Sequence, residues 1–472
     1  MQKQNDVNLN AGIYDARKLG IPKMILLGIQ HTFAMFGATV LVPIITGLDI
    51  STTLLVAGLG TLLFHLITKG KVPAFLGSSF AFLGGYAAVA PKLLDASGNA
   101  TVANKELLPY ACLGVACAGL VYLVLAGLIK TVGINKVMRF FPPVVTGPII
   151  IAIGLGLSGT AIANCKQNWI LALVALAVVI IFNIWGKGMA KIVPILLGIL
   201  ISYAVAVIAG NLCGVESMAV DFSGVKDIFQ KIAAGDIWGY LFDFPIYKEA
   251  TILGVDFGNT SQIVSAIIAI VPISLATMME HIGDISAISA TCGKNFIKNP
   301  GLHRTLTGDG LATTFAALLG GPANTTYGEN TGVLEFSRVF DPRVIRIAAI
   351  FAVGISFFPL VAAVISSIPT AIIGGISFIL YGMISAIGVR NVVESKVDFK
   401  KSRNLIVAAV ILVAALGLGS VDFSIGSMKI SLSALSVAAI SGILLNAILP
   451  GKDYNFDENE PTPEGNGASL KV

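Results

Sequence analysis

Apolar stretches of about twenty residues follow one another along almost the whole chain, from near residue 23 to near residue 450. In a helix, about twenty apolar residues rise far enough to cross the ~30 Å hydrocarbon core of a bilayer. Inside hydrocarbon every peptide N–H and C=O must find an internal partner, which leaves only helices and closed barrels as spanning structures. A barrel strand runs roughly 9–11 residues with alternating polarity. These stretches are longer and apolar throughout, so the chain reads as an all-α integral membrane protein. Its charged fraction agrees: 12% of 472 residues, against about 25% in an average soluble domain.

Hydropathy places spans near 23–47, 51–69, 72–90, 107–130, 140–163, 168–186 and 189–213. A polar loop near 214–258 separates these from a second series near 260–290, 304–321, 323–337, 344–367, 369–389, 403–420 and 431–450. The reading gives fourteen transmembrane segments, the third and tenth weak as continuous helices. With the N-terminus inside, 24 of the 31 Lys and Arg residues fall in cytoplasmic segments. That bias satisfies the positive-inside rule, and both termini are then cytoplasmic. The first twenty residues lack the apolar core of a cleavable signal, and the acidic tail after Pro450 has the composition of a disordered segment.

The chain also echoes itself. Gly58-Leu59-Gly60 recurs as Gly308-Asp309-Gly310, Pro73-Ala74 as Pro322-Ala323, and Gln30-His31 as Glu280-His281, at offsets of 250, 249 and 250. Gln30 precedes Ser79 by 49 residues, and Glu280 precedes Glu329 by the same 49. One offset shared by several short matches points to two seven-span halves. An odd number of spans per half inserts the halves with opposite orientation. Inverted repeats with interrupted helices at equivalent places are the sequence signature of secondary transporters.

Ionisable residues at membrane depth stand out against this background. Thr325-Thr326-Tyr327-Gly328-Glu329-Asn330-Thr331-Gly332 is too polar and glycine-rich for an ordinary spanning helix. A carboxylate at the centre of a span costs roughly 2.5–3.5 kcal/mol on insertion scales, so Glu329 is expected to form half of a binding site. Its repeat partner is Gly77-Ser78-Ser79-Phe80, where small residues again sit beside an aromatic. Glu280 and Asp284 share a helix face at i, i+4, which suits a proton-titratable pair facing an aqueous cavity. Asp309 faces the interior behind the site, and Asn330 can donate and accept. His31 is open between packing and site contact, as Tyr327 is between stacking and packing. His65 and His303 are placed at the interface.

Other chemistries lack support. Gly154-Leu155-Gly156-Leu157-Ser158-Gly159 matches GxGxxG but lies inside a span with no strand around it, so close helix packing explains it better. No Walker lysine, HExxH or GxSxG is present, and the five cysteines show no paired spacing. Neither metal nor cofactor is expected, nor a nucleic-acid partner, and the energy source is an ion gradient, not ATP hydrolysis. A channel would need a continuous polar-lined pore, whereas the polar residues cluster at two repeat-related places. A membrane enzyme is less favoured still.

Together with Gln30-His31-Thr32-Phe33-Ala34-Met35-Phe36-Gly37-Ala38-Thr39 and Glu280-His281-Ile282-Gly283, these motifs resemble the nucleobase–ascorbate transporters (nucleobase:cation symporter-2), most of all the bacterial uracil permeases. The resemblance runs from about residue 22 to about residue 450. It implies two inverted seven-span repeats, with short β-strands in spans three and ten. A core domain is formed by 23–130 and 259–367, and a gate domain by 131–258 and 368–450. Tails 1–22 and 451–472 are cytoplasmic, the protein is a homodimer, and the location is the bacterial inner membrane. The activity implied is import of uracil coupled to H+, with the core moving against the gate. Carried over, Glu280 and Glu329 accept hydrogen bonds from the base, and the Phe80 and Gly328 amides donate to its carbonyls. Glu280 and Asp284 are the proton-coupling candidates; His31, Asp309, Asn330 and Tyr327 stand behind them. One departure matters. Asp284 replaces the histidine of the enterobacterial uracil permease and matches the xanthine and urate branch, whereas Glu329 matches the uracil branch. A xanthine or broader nucleobase symporter is therefore the alternative.

Overall fold

A computed structural model describes residues 12–94, 100–234, 242–246, 250–425 and 428–451. The far N-terminal and C-terminal tails, and parts of the 214–258 loop, lie outside the described residues. The path is helical almost throughout. In chain order its main elements are α1 (Ile21–Thr46), α2 (Ile50–Ile67), strand β1 (Leu76–Ser78), α3 (Leu83–Val89), α4 (Leu108–Val132), α5 (Pro143–Gly156), α6 (Trp169–Trp185) and α7 (Pro194–Ala206). The second series is α8 (Ile273–Cys292), α9 (Leu302–Leu318), strand β2 (Asn324–Thr326), α10 (Gly328–Ser337), α11 (Pro342–Ser356), α12 (Thr370–Glu394), α13 (Ser402–Gly417) and α14 (Ala434–Ile448).

Local chemistry sets the ends of these helices. Pro22 lies in the first turn of α1, and Gly47, left-handed at φ 84°, closes it. Asp49 then caps α2, its carboxylate accepting from the Thr52 N–H at 2.6 Å. Asn168 caps α6 in the same way, accepting from the Leu171 N–H at 3.1 Å. Such caps satisfy amides that have no acceptor one turn back.

Among the described residues, seven helical stretches are long and apolar enough to cross a membrane, and a bent pair makes an eighth. That pair is α11 and Pro359–Ser366, which meet at 85°. The stretches expected as spans three and ten are not continuous helices, in line with their reading as weak. Each is a three-residue strand followed by a short helix. The sixth, thirteenth and fourteenth stretches fold as apolar helices of 10–17 residues. Two strands not expected from the sequence, Ser420–Ile425 and Met428–Ser433, form a hairpin between α13 and α14.

The helices pack in two groups. One joins α4 to α9, α2 to α9 and α11, and α1 to α11. The other joins α12 to α5 and α6, α6 to α7, and α13 to α5 and α14. Glycine permits the closest crossings. A Cβ on Gly119 would strike the Gly310 carbonyl and Thr314, and one on Gly154 would strike the Tyr381 carbonyl and Ser385. Gly154 of the GxGxxG match is thus a packing residue in α5. Gly156 and Gly159 have no neighbour within 4 Å of such a Cβ.

Candidate functional site

The two broken spans meet. β1 and β2 run antiparallel, with Leu76 opposite Thr326, Gly77 opposite Thr325 and Ser78 opposite Asn324. The ladder extends at both ends, from the Ser79 N–H to the Ala323 carbonyl (2.8 Å) and from the Tyr327 N–H to the Phe75 carbonyl (3.1 Å). Two short strands leave outer edges unpaired, and at membrane depth no lipid atom can satisfy them. Side chains do so instead. Thr61 of α2 bonds both the N–H and the carbonyl of Leu76 (2.9 and 3.1 Å). Thr313 of α9 donates to the Asn324 carbonyl (2.7 Å), and the Asn324 amide donates to the Val56 carbonyl (3.1 Å). His65 belongs to the same set: it is buried, with Nε2 at 2.9 Å from the Ala74 carbonyl. It was expected at the interface; within the protein the chain folds back after α2 and brings the Ala74 carbonyl to the ring.

Tyr327 packs. Its ring covers Gly77, where a Cβ would collide with it, and its hydroxyl donates to the Ser78 carbonyl at 2.9 Å. Thr39 of α1 donates to that hydroxyl at 3.3 Å.

The carboxylates gather beside the strand pair. Glu280 and Asp284 lie one turn apart on α8, which packs against β2 and α10. Glu329 lies in the first turn of α10. Glu280 is within electrostatic reach of Asp284, Asp309 and Glu329, and its Oε2 is buried without a hydrogen-bond partner among the described residues. Asp284 is tied to the strand: the Thr326 hydroxyl donates to its Oδ2 at 2.6 Å.

Open space lies in front of this cluster. Gly328 is exposed, and a Cβ there would meet only Ile387 of α12, at 3.9 Å. A Cβ on Gly332 would meet nothing within 4 Å, and one on Gly283 would meet Asn391 of α12 at 3.7 Å. The gap is thus bordered by α8, α10 and α12. Phe80 borders it, its ring edge-on to Tyr381 of α12 at 5.7 Å. The first amides of α10 have no acceptor one turn back, and the Phe80 N–H finds none among the described residues. Two apolar hollows of about 370 and 310 Å³ elsewhere, one beside Ile347 and Phe358 and one beside Phe36 and Tyr203, carry no carboxylate.

Behind the cluster are two fully buried pairs. The Asn330 amide donates to the His31 carbonyl at 3.0 Å and lies 3.1 Å from His31 Nδ1. His281 Nδ1 lies 3.1 Å from Asp309 Oδ2. The structure thus brings Phe80, Glu280, Asp284, Gly328 and Glu329 to one gap, with His31, His281, Asp309 and Asn330 bracing the elements that carry them.

A family model described as "Permease family" matches residues 22–422, most of the chain. The chain belongs to this permease family. Curated relatives agree with the resemblance drawn from the motifs. A uracil permease of Bacillus caldolyticus is 40% identical over 93% of this chain and 96% of its own length. A uracil permease of Bacillus subtilis is 39% identical over 92% and 94%. A putative pyrimidine permease of Escherichia coli is 33% identical over 92% and 91%. Solved structures share the permease fold at low identity. The transmembrane domain of a cyanobacterial bicarbonate transporter, BicA, superposes with a TM-score of 0.59 at 15% identity, over 92% of this chain and 99% of that one. SLC26A9 does so at 0.62 and 12% identity, over 92% and 66%.

Two permease residues at the gap escaped the sequence reading. Thr326 sat in the quoted motif with no role assigned, and its bond to Asp284 depends on where α8 lies. Tyr381 is one aromatic in a long apolar helix, with no local signal to distinguish it from packing.

Proposed function

We propose that this permease imports uracil across the bacterial cytoplasmic membrane, coupled to protons and working by alternating access. The observation that carries the reading is the pairing of β1 with β2, which sets free amides and carboxylates around one gap. Uracil alternates N–H donors with carbonyl acceptors along its edge. Glu280 and Glu329 accept from the N–H groups, and the Phe80 and Gly328 amides donate to the carbonyls. Each buried mismatch would leave a polar group unpaired, so the arrangement rejects bases with a different edge. The names of the curated relatives support the substrate, and the basic-residue bias supports cytoplasmic termini.

In the same reading the chain has fourteen spans in two inverted halves, broken spans three and ten being equivalent under the repeat. The α1–α4 and α8–α11 elements form the core domain, and α5–α7 and α12–α14 form the gate domain. The gap between α10 and α12 is the seam along which the core moves against the gate. Glu280 and Asp284 carry the proton, no cofactor is needed, and the working unit is a homodimer in the lipid bilayer.

Uptake of labelled uracil into proteoliposomes tests this. It should rise with an inward proton gradient, saturate with substrate, and fall sharply for Glu329→Ala. Uptake indifferent to the gradient and to the substitution overturns the proposal, and non-saturating flux favours a channel. One observation favours a second reading, a xanthine or broader nucleobase symporter: Asp284 in place of a histidine. Competition of uracil uptake by xanthine, guanine and hypoxanthine separates the two.

A further inference from the structure

The segment just before α1 is bound to the far ends of both helices that carry the site carboxylates. Ile13 forms a parallel bridge with Val339: its N–H donates to the Arg338 carbonyl at 2.7 Å, and its carbonyl accepts from the Phe340 N–H at 2.8 Å. Arg338 is the C-terminal cap of α10, the helix that begins at Gly328 and Glu329. The next residue reaches the other site helix. The Tyr14 hydroxyl donates at 2.6 Å to the carbonyl of Cys292, the last residue of α8. One dipeptide thus holds the ends of α10 and α8 together.

The surroundings fix that dipeptide in place. Ile13, Ala16, Val339 and Val344 form a small buried apolar cluster, with Ile13 4% and Ala16 0% exposed. The Tyr14 ring packs against Phe340 at 5.4 Å and lies under the Lys294 ammonium at 4.1 Å. Asp341, itself buried, accepts from the Ala16 N–H at 2.8 Å while capping α11 through the Arg343 N–H at 2.9 Å. Arg343 also bonds Asp15 at 3.0 Å. Gly12 is left-handed at φ 74°, and a Cβ there would press on the Phe340 ring at 2.8 Å. The backbone shape and the contacts agree on one path for the strap.

Geometry gives this strap a role. α10 has ten residues and carries Glu329 in its first turn. Along its length it packs on α1 and α8 and bonds His31 through Asn330, and two further attachments hold its ends. One is β2, held by β1. The other is the chain leaving Arg338, held by Ile13. We propose that Ile13 and Tyr14 are positioning residues for the substrate site, fixing the separation of Glu329 on α10 from Glu280 and Asp284 on α8. The inference rests on the reading of those carboxylates as the uracil site. Neither residue touches substrate. Each acts through the helix whose end it holds.

Two variants of the full-length protein test it in proteoliposomes: Tyr14→Phe, which keeps the ring and loses the hydroxyl, and Ile13→Asp with Tyr14→Ala, which removes the Tyr14 bond and puts a charge into the apolar cluster that seats the Ile13 backbone bridge. A shift of tenths of an ångström to an ångström in a convergent site costs up to about a hundredfold. The double variant should raise the KM for uracil about tenfold or more with the turnover number far less affected, and Tyr14→Phe should fall between it and the wild type. A purely structural strap predicts the opposite: less protein and a lower Tm, with the wild-type KM in the folded fraction, and that result overturns the proposal. Glu329→Ala serves as the control. If it abolishes binding while the strap variants keep the wild-type KM, the strap inference fails and the site stands. If Glu329→Ala binds uracil as wild type does, the site reading itself fails.

Discussion

The Thr326 hydroxyl donates a 2.6 Å hydrogen bond to the Asp284 carboxylate, joining the strand pair to α8. A hydrogen bond to a charged group contributes about 1.5–3 kcal/mol, and the donor stabilises the anionic form of its partner. If Asp284 loads and unloads the transported proton, Thr326 tunes it. Thr326→Val is therefore expected to move the midpoint of the pH profile of uracil uptake, whereas Thr326→Ser, which keeps the hydroxyl, should stay near the wild type. Profiles of kcat/KM between pH 5 and 8 check this. Superimposable profiles for Val and Ser would show that the bond is only a brace.

Glu329 differs in kind, because nothing on α12 comes close to the exposed Gly328 beside it apart from Ile387. Glu329→Gln keeps the size and one acceptor oxygen but loses the charge. Losing a charge-assisted hydrogen bond of about 1.5–3 kcal/mol should weaken uracil binding by about one to two orders of magnitude. Tm should barely move. Equilibrium binding of labelled uracil to the purified protein, beside a thermal melt, reads both quantities.

The glycines of the paired breaks give a sharper contrast. A Cβ on Gly77 runs into the Tyr327 ring, and Tyr327 is held by Ser78 and Thr39. A Cβ on Gly328 meets only Ile387, at an unstrained 3.9 Å. Gly77→Ala is expected to part the strands and lower Tm by about 1–3 degrees along with uptake, since overpacking a rigid site costs about 1–3 kcal/mol. Gly328→Ala should leave Tm unchanged and raise the KM by crowding the gap. Equal melting losses for both would contradict the geometry.

These cases also show what the residues reveal by themselves. The two breaks were legible because glycine, serine, threonine and a carboxylate interrupt apolar sequence, and nothing else at that depth needs them. Glu280 and Asp284 stood out for the same reason, and one shared offset joined Glu280 to Glu329. Strand pairing was not legible from three-residue segments; the family resemblance supplied it. His65 was read as interfacial because Lys69 and Lys71 follow it closely, and a basic cluster reads as an interface. Its actual partner, the Ala74 carbonyl, exists only once the chain has turned back. Helix lengths were overestimated for α6, α13 and α14, since a window of about nineteen residues runs past the true ends of a shorter helix. Tyr381 left no trace, because one aromatic in α12 looks like any other until Phe80 is placed against it.

The pH response of the strap is separable from that of the gap. The hydrogen bond from Arg17 holds the Asp15 carboxyl well below the usual carboxylate range, with Arg343 adding to it. A carboxylate whose folded value is depressed contributes its stabilisation above the unfolded value of about 3.9 and loses it only as pH falls through the folded value. Between pH 5 and 8 the Asp15 contacts are therefore constant. Asp15→Asn should leave the shape of the uptake profile in that window unchanged, whatever it does to the amplitude. An inflection there that comes from Asp284 should disappear or shift when Asp284 is replaced by Asn. Matched pH series for the two variants, at fixed membrane potential, decide it. An inflection that moves with Asp15→Asn and ignores Asp284→Asn would place the titrating group outside the gap.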